Sequence, residues 1–196
     1  MNSSGNPGVS AWNLPNFLTL LRIAVVPVMG WMLLAHPQQT NWRIATTAVF
    51  ALAIATDALD GYLARKHNLI TNFGKLADPI ADKALTGMAL VGLSILGELW
   101  WWVTISILIR EWGITLLRLA LAQRIVLAAN RGGKLKTVLQ AAAIIGFLLP
   151  IPNWVVLFGV ATEPVSLLLM AAAWVVTMIT GVDYLIAMSK LARTER

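Results

Sequence analysis

The chain has 196 residues, of which 58% are hydrophobic and only 12% charged, and its mean hydropathy is +0.74. Soluble domains are about half apolar and a quarter charged, so this composition excludes an ordinary soluble domain and a disordered chain. The net charge of +6 reads as basic loops facing an anionic membrane surface and not as a nucleic-acid footprint, and the lack of Cys excludes disulfides, thiolate metal sites and Cys nucleophiles.

In chain order, residues 1–12 carry no Lys or Arg and are expected as a flexible N-terminal segment, not a cleaved signal peptide. Six stretches then approach the roughly 20 apolar residues that a membrane span requires. They lie at 17–35, 43–64, 77–97, 100–122, 137–160 and 164–188, with polar or Gly- and Pro-containing separators. The expected fold is an all-α integral membrane protein of six transmembrane helices, forming a single domain over residues 1–196. Arg65, Lys66 and Lys75 flank the second separator, Arg124, Arg131, Lys134 and Lys136 the fourth, and Lys190, Arg193 and Arg196 close the chain. The positive-inside rule therefore places both termini and the even-numbered loops in the cytoplasm. Trp31, Trp42, Trp100, Trp101, Trp102 and Trp154 fall at the opposite helix ends, as an interfacial aromatic belt would. His36 and His67 belong to no ligand constellation and read as structural or solvated.

Acidic residues inside a bilayer are costly and mark functional sites. Four of the nine lie close together: Asp57 and Asp60 late in the second span, Asp78 and Asp82 early in the third. Spacings of three and four residues put each pair on one helix face. The short connection makes these spans antiparallel neighbours whose acidic faces can meet. Four such carboxylates need cations, and hard oxygen donors suit Mg²⁺ or Mn²⁺. With about 1.5 Å of rise per residue, the acids lie roughly 12 Å inside the cytoplasmic helix ends.

Residues 57–82 spell Asp57-x2-Asp60-Gly61-x2-Ala64-Arg65-x8-Gly74-x3-Asp78-x3-Asp82. This resembles the signature of the CDP-alcohol phosphotransferase family (class I) at every defined position. The resemblance implies two metal ions held by Asp57, Asp60, Asp78 and Asp82, with Asp82 also the general base. It further implies that Gly61, Arg65 and Thr71 contact the CDP part of a CDP-activated lipid, beside the small residue Gly74. An alcohol hydroxyl would attack the lipid-side phosphorus and CMP would leave.

Asn13-Leu14-Pro15-Asn16-Phe17-Leu18-Thr19-Leu20-Leu21-Arg22 resembles the start of the bacterial phosphatidylglycerophosphate synthase branch of that family. Asn16, Thr19 and Arg22 fall near one helix face and could line the nucleotide side of the pocket. Asn13 reads better as a helix cap, and the competing reading of Arg22 is a snorkelling interfacial residue. Arg110-Glu111, Arg118 and Gly133-Lys134-Leu135-Lys136-Thr137 also look like that branch, and these cations suit a phosphorylated acceptor. The resemblance thus implies transfer from CDP-diacylglycerol to sn-glycerol 3-phosphate in the cell membrane, at a site facing the cytoplasm, by a protein that relatives suggest is a homodimer. Inositol phosphate is the alternative acceptor. A membrane prenyltransferase would need more spans and denser Asp motifs. A divalent-cation transporter would need a polar path to the other side, where this chain is almost wholly apolar.

Overall fold

The computed structural model describes residues 13–66, 71–121, 131–149, 156–157 and 160–194. Side chains at 60, 62–65, 72, 75, 118–121, 131–134, 156–157, 160–163 and 190–194 are outside that description. Among the described residues the elements are α1 (Leu14–Ala35), α2 (Thr40–Lys66), α3 (Asn72–Ile95), α4 (Trp101–Leu121), α5 (Arg131–Leu148) and α6 (Thr162–Thr194), with the short strands β1 (Val156–Leu157) and β2 (Val160–Ala161) between α5 and α6. The chain forms two compact units, 1–96 and 97–196. The expected N-terminal segment 1–12, together with His67 and Trp154, lies outside the described residues.

Local chemistry sets the helix ends. The Asn13 side chain accepts a hydrogen bond from the Asn16 backbone N–H, and Pro15 fits the first turn, where its missing N–H costs nothing. Thr71 caps α3 in the same way through the Gly74 N–H. After α3 the chain turns at Gly97, whose φ of 76° is the left-handed region that glycine reaches without strain.

The fifth helix departs from the expected span 137–160. It starts at Arg131 and ends at Leu148, and Val156–Leu157 pairs antiparallel with Val160–Ala161. Hydropathy runs unbroken through Leu149-Pro150-Ile151-Pro152, but two prolines spaced this closely cannot continue a helix. At the other end Gly132 and Gly133 fall in the first turn, whose N–H groups have no intrahelical partner in any case.

Among the described residues, three helices are long and apolar enough to cross a membrane: 14–35, 40–59 and 164–189. The others are the ones carrying Asp78, Asp82 and Lys83, Arg110 and Glu111, and Lys134 and Lys136. On α1 the membrane signature is plain, because its polarity is inverted. Asn16, Thr19 and Arg22 are buried, while Leu14, Phe17, Leu21, Val28 and Trp31 are exposed. An apolar outside around a polar inside is what a lipid surrounding selects. The protein is membrane-embedded.

Within the first unit, α1 is the central helix. It runs parallel to α3, since Thr19 meets Asp78 and Gly30 lies against Met88. It runs antiparallel to α2, since Arg22 meets Asp57 while Trp31 stacks edge-on against Trp42 at 5.4 Å. His36 stacks on Trp42 at 4.4 Å, which makes it structural. The helices α2 and α3 are therefore antiparallel and in contact, as expected, while among the described residues each packs more extensively on α1. The helix α1 supplies the polar partners of Asp57 and Asp78.

In the second unit, α4 and α6 run in the same direction. Ser106 accepts from Trp174 Nε1 at 2.8 Å, and one turn on Arg110 reaches Thr180. The helix α5 packs closely on α6, where a Cβ on Gly146 would collide with the Ser166 hydroxyl.

The α1–α3 seam is testable. A Cβ on Gly92 would lie 2.6 Å from Leu33 Cδ2, and Leu33 is fully buried. Gly92→Leu should therefore lower the unfolding temperature, at a cost of about 1–3 kcal/mol from overpacking. Adding Leu33→Ala to the same chain should recover part of the loss.

Candidate active site

One face of α1 organises the first unit. Asn16, Thr19 and Arg22 succeed each other at three-residue intervals, about 4.5 Å of rise apart, and all three are buried. Each reaches a different part of the motif. Asn16 Oδ1 accepts from the Thr71 hydroxyl at 3.0 Å. The Thr19 hydroxyl donates to Asp78 Oδ1 at 2.5 Å. Arg22 Nη1 donates to Asp57 Oδ1 at 2.6 Å, and its Nε donates to the Ala53 carbonyl at 3.3 Å.

Two carboxylates from different helices are thus fixed against neighbouring turns of a third. Charge-assisted hydrogen bonds of this kind are the strong ones, and here their donors, Thr19 and Arg22, are buried. Arg22 is not a snorkelling residue: it is 3% exposed and ion-paired. Asn13, as expected, caps α1.

Gly74 is buried beneath this arrangement. A Cβ there would lie 2.9 Å from Asn16 Oδ1 and 3.3 Å from Thr71 Oγ1, with Asp78 Oδ2 at 3.7 Å. Glycine at this position is what lets α3 approach the Asn16–Thr71 contact. Thr71, read from the sequence as a nucleotide contact, is here the link between the α3 cap and α1. Asp78 and Asp82 are half-buried one turn apart on α3, and Gly61 is half-buried on α2. The side chains of Asp60 and Arg65 lie outside the described residues.

The second unit holds the other predicted residues. The stem and Nε of Arg110 lie along Gly181, where a Cβ would come within 3.0 Å, and its Nη2 donates to Thr180 Oγ1 at 2.7 Å. Glu111 Oε1 accepts from Lys136 Nζ at 2.7 Å, with side-chain exposures of 7% and 10%. One expectation changes as a result. Lys136, which the positive-inside reading placed beside a loop facing water, is buried and paired with Glu111. Asp183 is exposed, and the hydroxyl of Thr180 bonds the Arg110 guanidinium. The side chains of Arg118 and Lys134 lie outside the described residues.

Sequence comparison decides the family. The profile of the CDP-alcohol phosphatidyltransferase family matches residues 12–190, nearly the whole chain. The chain belongs to the CDP-alcohol phosphatidyltransferase family. Among its relatives is a probable phosphatidylglycerophosphate synthase of Mycobacterium tuberculosis (strain CDC 1551 / Oshkosh), 49% identical over 173 residues, covering 88% of this chain and 79% of that protein. A CDP-diacylglycerol–glycerol-3-phosphate 3-phosphatidyltransferase of Bacillus subtilis (strain 168) is 38% identical over 188 residues, covering 88% and 93%. One of the same name from Rickettsia typhi is 37% identical over 173 residues, covering 88% and 94%. This membrane phosphatidyltransferase is therefore an enzyme of phospholipid synthesis.

The donor set suits the hard divalent ions expected of this family. Asp57, Asp78 and Asp82 offer only carboxylate oxygens, and the Asp57 side chain is 42% exposed. Among the described residues no three such side chains converge on one point.

Two residues of this phosphatidyltransferase escaped the sequence reading. Gln140 is 2% exposed, and among the described residues neither its Oε1 nor its Nε2 has a hydrogen-bond partner; the Thr177 hydroxyl is in the same state. A Gln one turn beyond Lys136 in an otherwise apolar run was the available signal. The Glu111–Lys136 pair had none, since it joins different helices.

Two substitutions check these assignments. Thr71→Ala should destabilise by about 1 kcal/mol through loss of the α3 cap, and Thr71→Ser should restore it, both read by thermal unfolding. Lys136→Met should cost about 3–5 kcal/mol, because it leaves a buried carboxylate uncompensated. Lys136→Met with Glu111→Gln should regain most of that stability.

Proposed function

We propose that this enzyme transfers the phosphatidyl group of CDP-diacylglycerol to sn-glycerol 3-phosphate, giving phosphatidylglycerophosphate and CMP. The observation that carries this reading is the tethering of Asp57 and Asp78 to adjacent turns of α1. It gathers acids from two helices along one face of a third, as ligands of neighbouring cations would need to be. The names of the relatives support the donor and the acceptor.

Asp57, Asp60, Asp78 and Asp82 would hold two Mg²⁺ or Mn²⁺ ions, which would neutralise charge on the diphosphate and on the departing CMP. Asp82 takes the proton from the acceptor's hydroxyl as its oxygen bonds to the lipid-side phosphorus and the phosphorus–oxygen bond to CMP breaks. Asn16, Thr19, Gly61, Arg65, Thr71 and Gly74 form the nucleotide side. Asn16 and Thr19 act there by fixing Thr71 and Asp78 as much as by touching ligand.

Arg110 is the leading candidate for the acceptor phosphate, since its donors form a planar fork suited to an anion, and Thr180 steadies one arm of it. Arg118 and Lys134 supply further charge. Lys136 can serve only by leaving Glu111. The chain spans the cell membrane six times with both termini and the site cytoplasmic, a reading supported by the basic residues at one set of helix ends. It works as a homodimer.

The deciding assay is CMP release from CDP-diacylglycerol by purified protein with Mn²⁺. It should depend on glycerol 3-phosphate and not on inositol phosphate. Mn²⁺ flux into proteoliposomes without CMP release would favour a transporter instead. Asp57→Asn and Asp78→Asn should abolish turnover while the protein still folds and inserts. Arg110→Gln should raise the apparent KM for glycerol 3-phosphate roughly ten- to a hundred-fold, the worth of a charged hydrogen bond, and leave that for CDP-diacylglycerol nearly unchanged.

A further inference from the structure

We propose that Arg22 is a resident counter-ion for the metal site. It holds Asp57 while no divalent ion is bound and opposes the ion's charge once one arrives, so that it stabilises the metal-free protein and weakens metal binding. This rests on the two-ion reading of the acids.

The geometry supports such a role in three ways. First, the Arg22 guanidinium has an anchor that does not depend on Asp57: its Nε donates to the Ala53 carbonyl, one helical turn before Asp57 on α2. Arg22 therefore stays in place when the Asp57 carboxylate turns to another cation. Secondly, the two partners differ in access. The Arg22 side chain is 2% exposed and that of Asp57 42%, so the arginine approaches from the protein interior while the carboxylate remains accessible from outside it. Thirdly, the neighbouring acid is treated differently. Asp78 is held by the neutral hydroxyl of Thr19, so a permanent positive charge is supplied at Asp57 and not at Asp78 by these two α1 residues.

The energetics follow. Carboxylates brought together within a membrane protein repel one another and lose hydration, and a nearby cation relieves both costs. A guanidinium cannot lose its proton, so its charge remains when a divalent ion binds close by. Like charges at this range in a poorly hydrated site lower the ion's affinity. Arg22 thus trades tight binding for a stable empty site and a releasable metal.

The test measures metal binding directly, on the full-length protein in detergent, with Mn²⁺ titrated calorimetrically and free Mn²⁺ followed by electron paramagnetic resonance. Arg22→Gln should bind Mn²⁺ at least about tenfold more tightly than the unsubstituted protein, ~1.4 kcal/mol. Its unfolding temperature in chelator should be lower. Thr19→Val, which removes a neutral donor of similar size, should give no such gain in affinity. Arg22→Lys keeps the charge and should stay within about twofold of the unsubstituted protein in Mn²⁺ affinity. Weaker or unchanged Mn²⁺ binding by Arg22→Gln would overturn the proposal and make Arg22 an orienting residue only. Should Arg22→Gln fail to fold, Arg22→Lys decides: a tenfold loss of affinity there shows that guanidinium geometry matters and not charge, and sinks the idea. Absence of Mn²⁺ binding by the unsubstituted protein would instead refute the two-ion reading itself.

Discussion

The ion pair between Arg22 and Asp57 is the constraint on which the first unit is built. A buried arginine on α1 fixes the rotation of that helix, because only one face can present the guanidinium to α2. Once that face is set, Thr19 and Asn16 must lie along it at one-turn intervals, and they reach Asp78 and Thr71 on the other neighbour. Helix rotation, the joining of α2 and α3 to α1, and the placement of two acids thus share one cause. Breaking the pair would leave a charge without compensation in a poorly hydrated interior, a far larger penalty than the loss of an exposed pair.

Close packing makes these polar contacts possible. Gly74 admits the Asn16–Thr71 contact, and Gly30 and Gly92 admit Met88 and Leu33 further along the same helices. Glycine here serves approach between helices, which suits a membrane interior, where apolar side chains gain little by leaving lipid for one another. The second unit follows the same logic with different chemistry. Gly181 makes room for the stem of Arg110, and Gly146 faces Ser166. Its interior carries a buried ion pair and an amide with no partner among the described residues, polar groups that are costly to hold away from water.

Much of this was legible in the sequence because membrane physics writes a strong signal. Composition alone excluded a soluble domain, the helices α1 to α4 and α6 lie close to where apolar runs put them, and the motif from Asp57 to Asp82 named the family that comparison then established. The end of the fifth helix was misplaced because the apolar residues around Pro150 and Pro152 keep a window average high, whereas the helical backbone does not tolerate those prolines. Lys136 was misjudged because a basic residue near a helix start looks the same in sequence whether it meets water or a carboxylate from another helix.

The sequence by itself determined that this is a helical membrane protein with an acidic motif of fixed spacing, since hydrophobicity and i,i+3 or i,i+4 periodicity are local properties of the chain. Only the tertiary structure decided which residue answers each charge. Asp57 goes to Arg22, Asp78 to Thr19, Glu111 to Lys136 and Arg110 to Thr180, at separations of 35, 59, 25 and 70 residues. No periodicity links positions so far apart. Their partners are fixed by how helices rotate and cross, and that depends on every side chain in the seam between them.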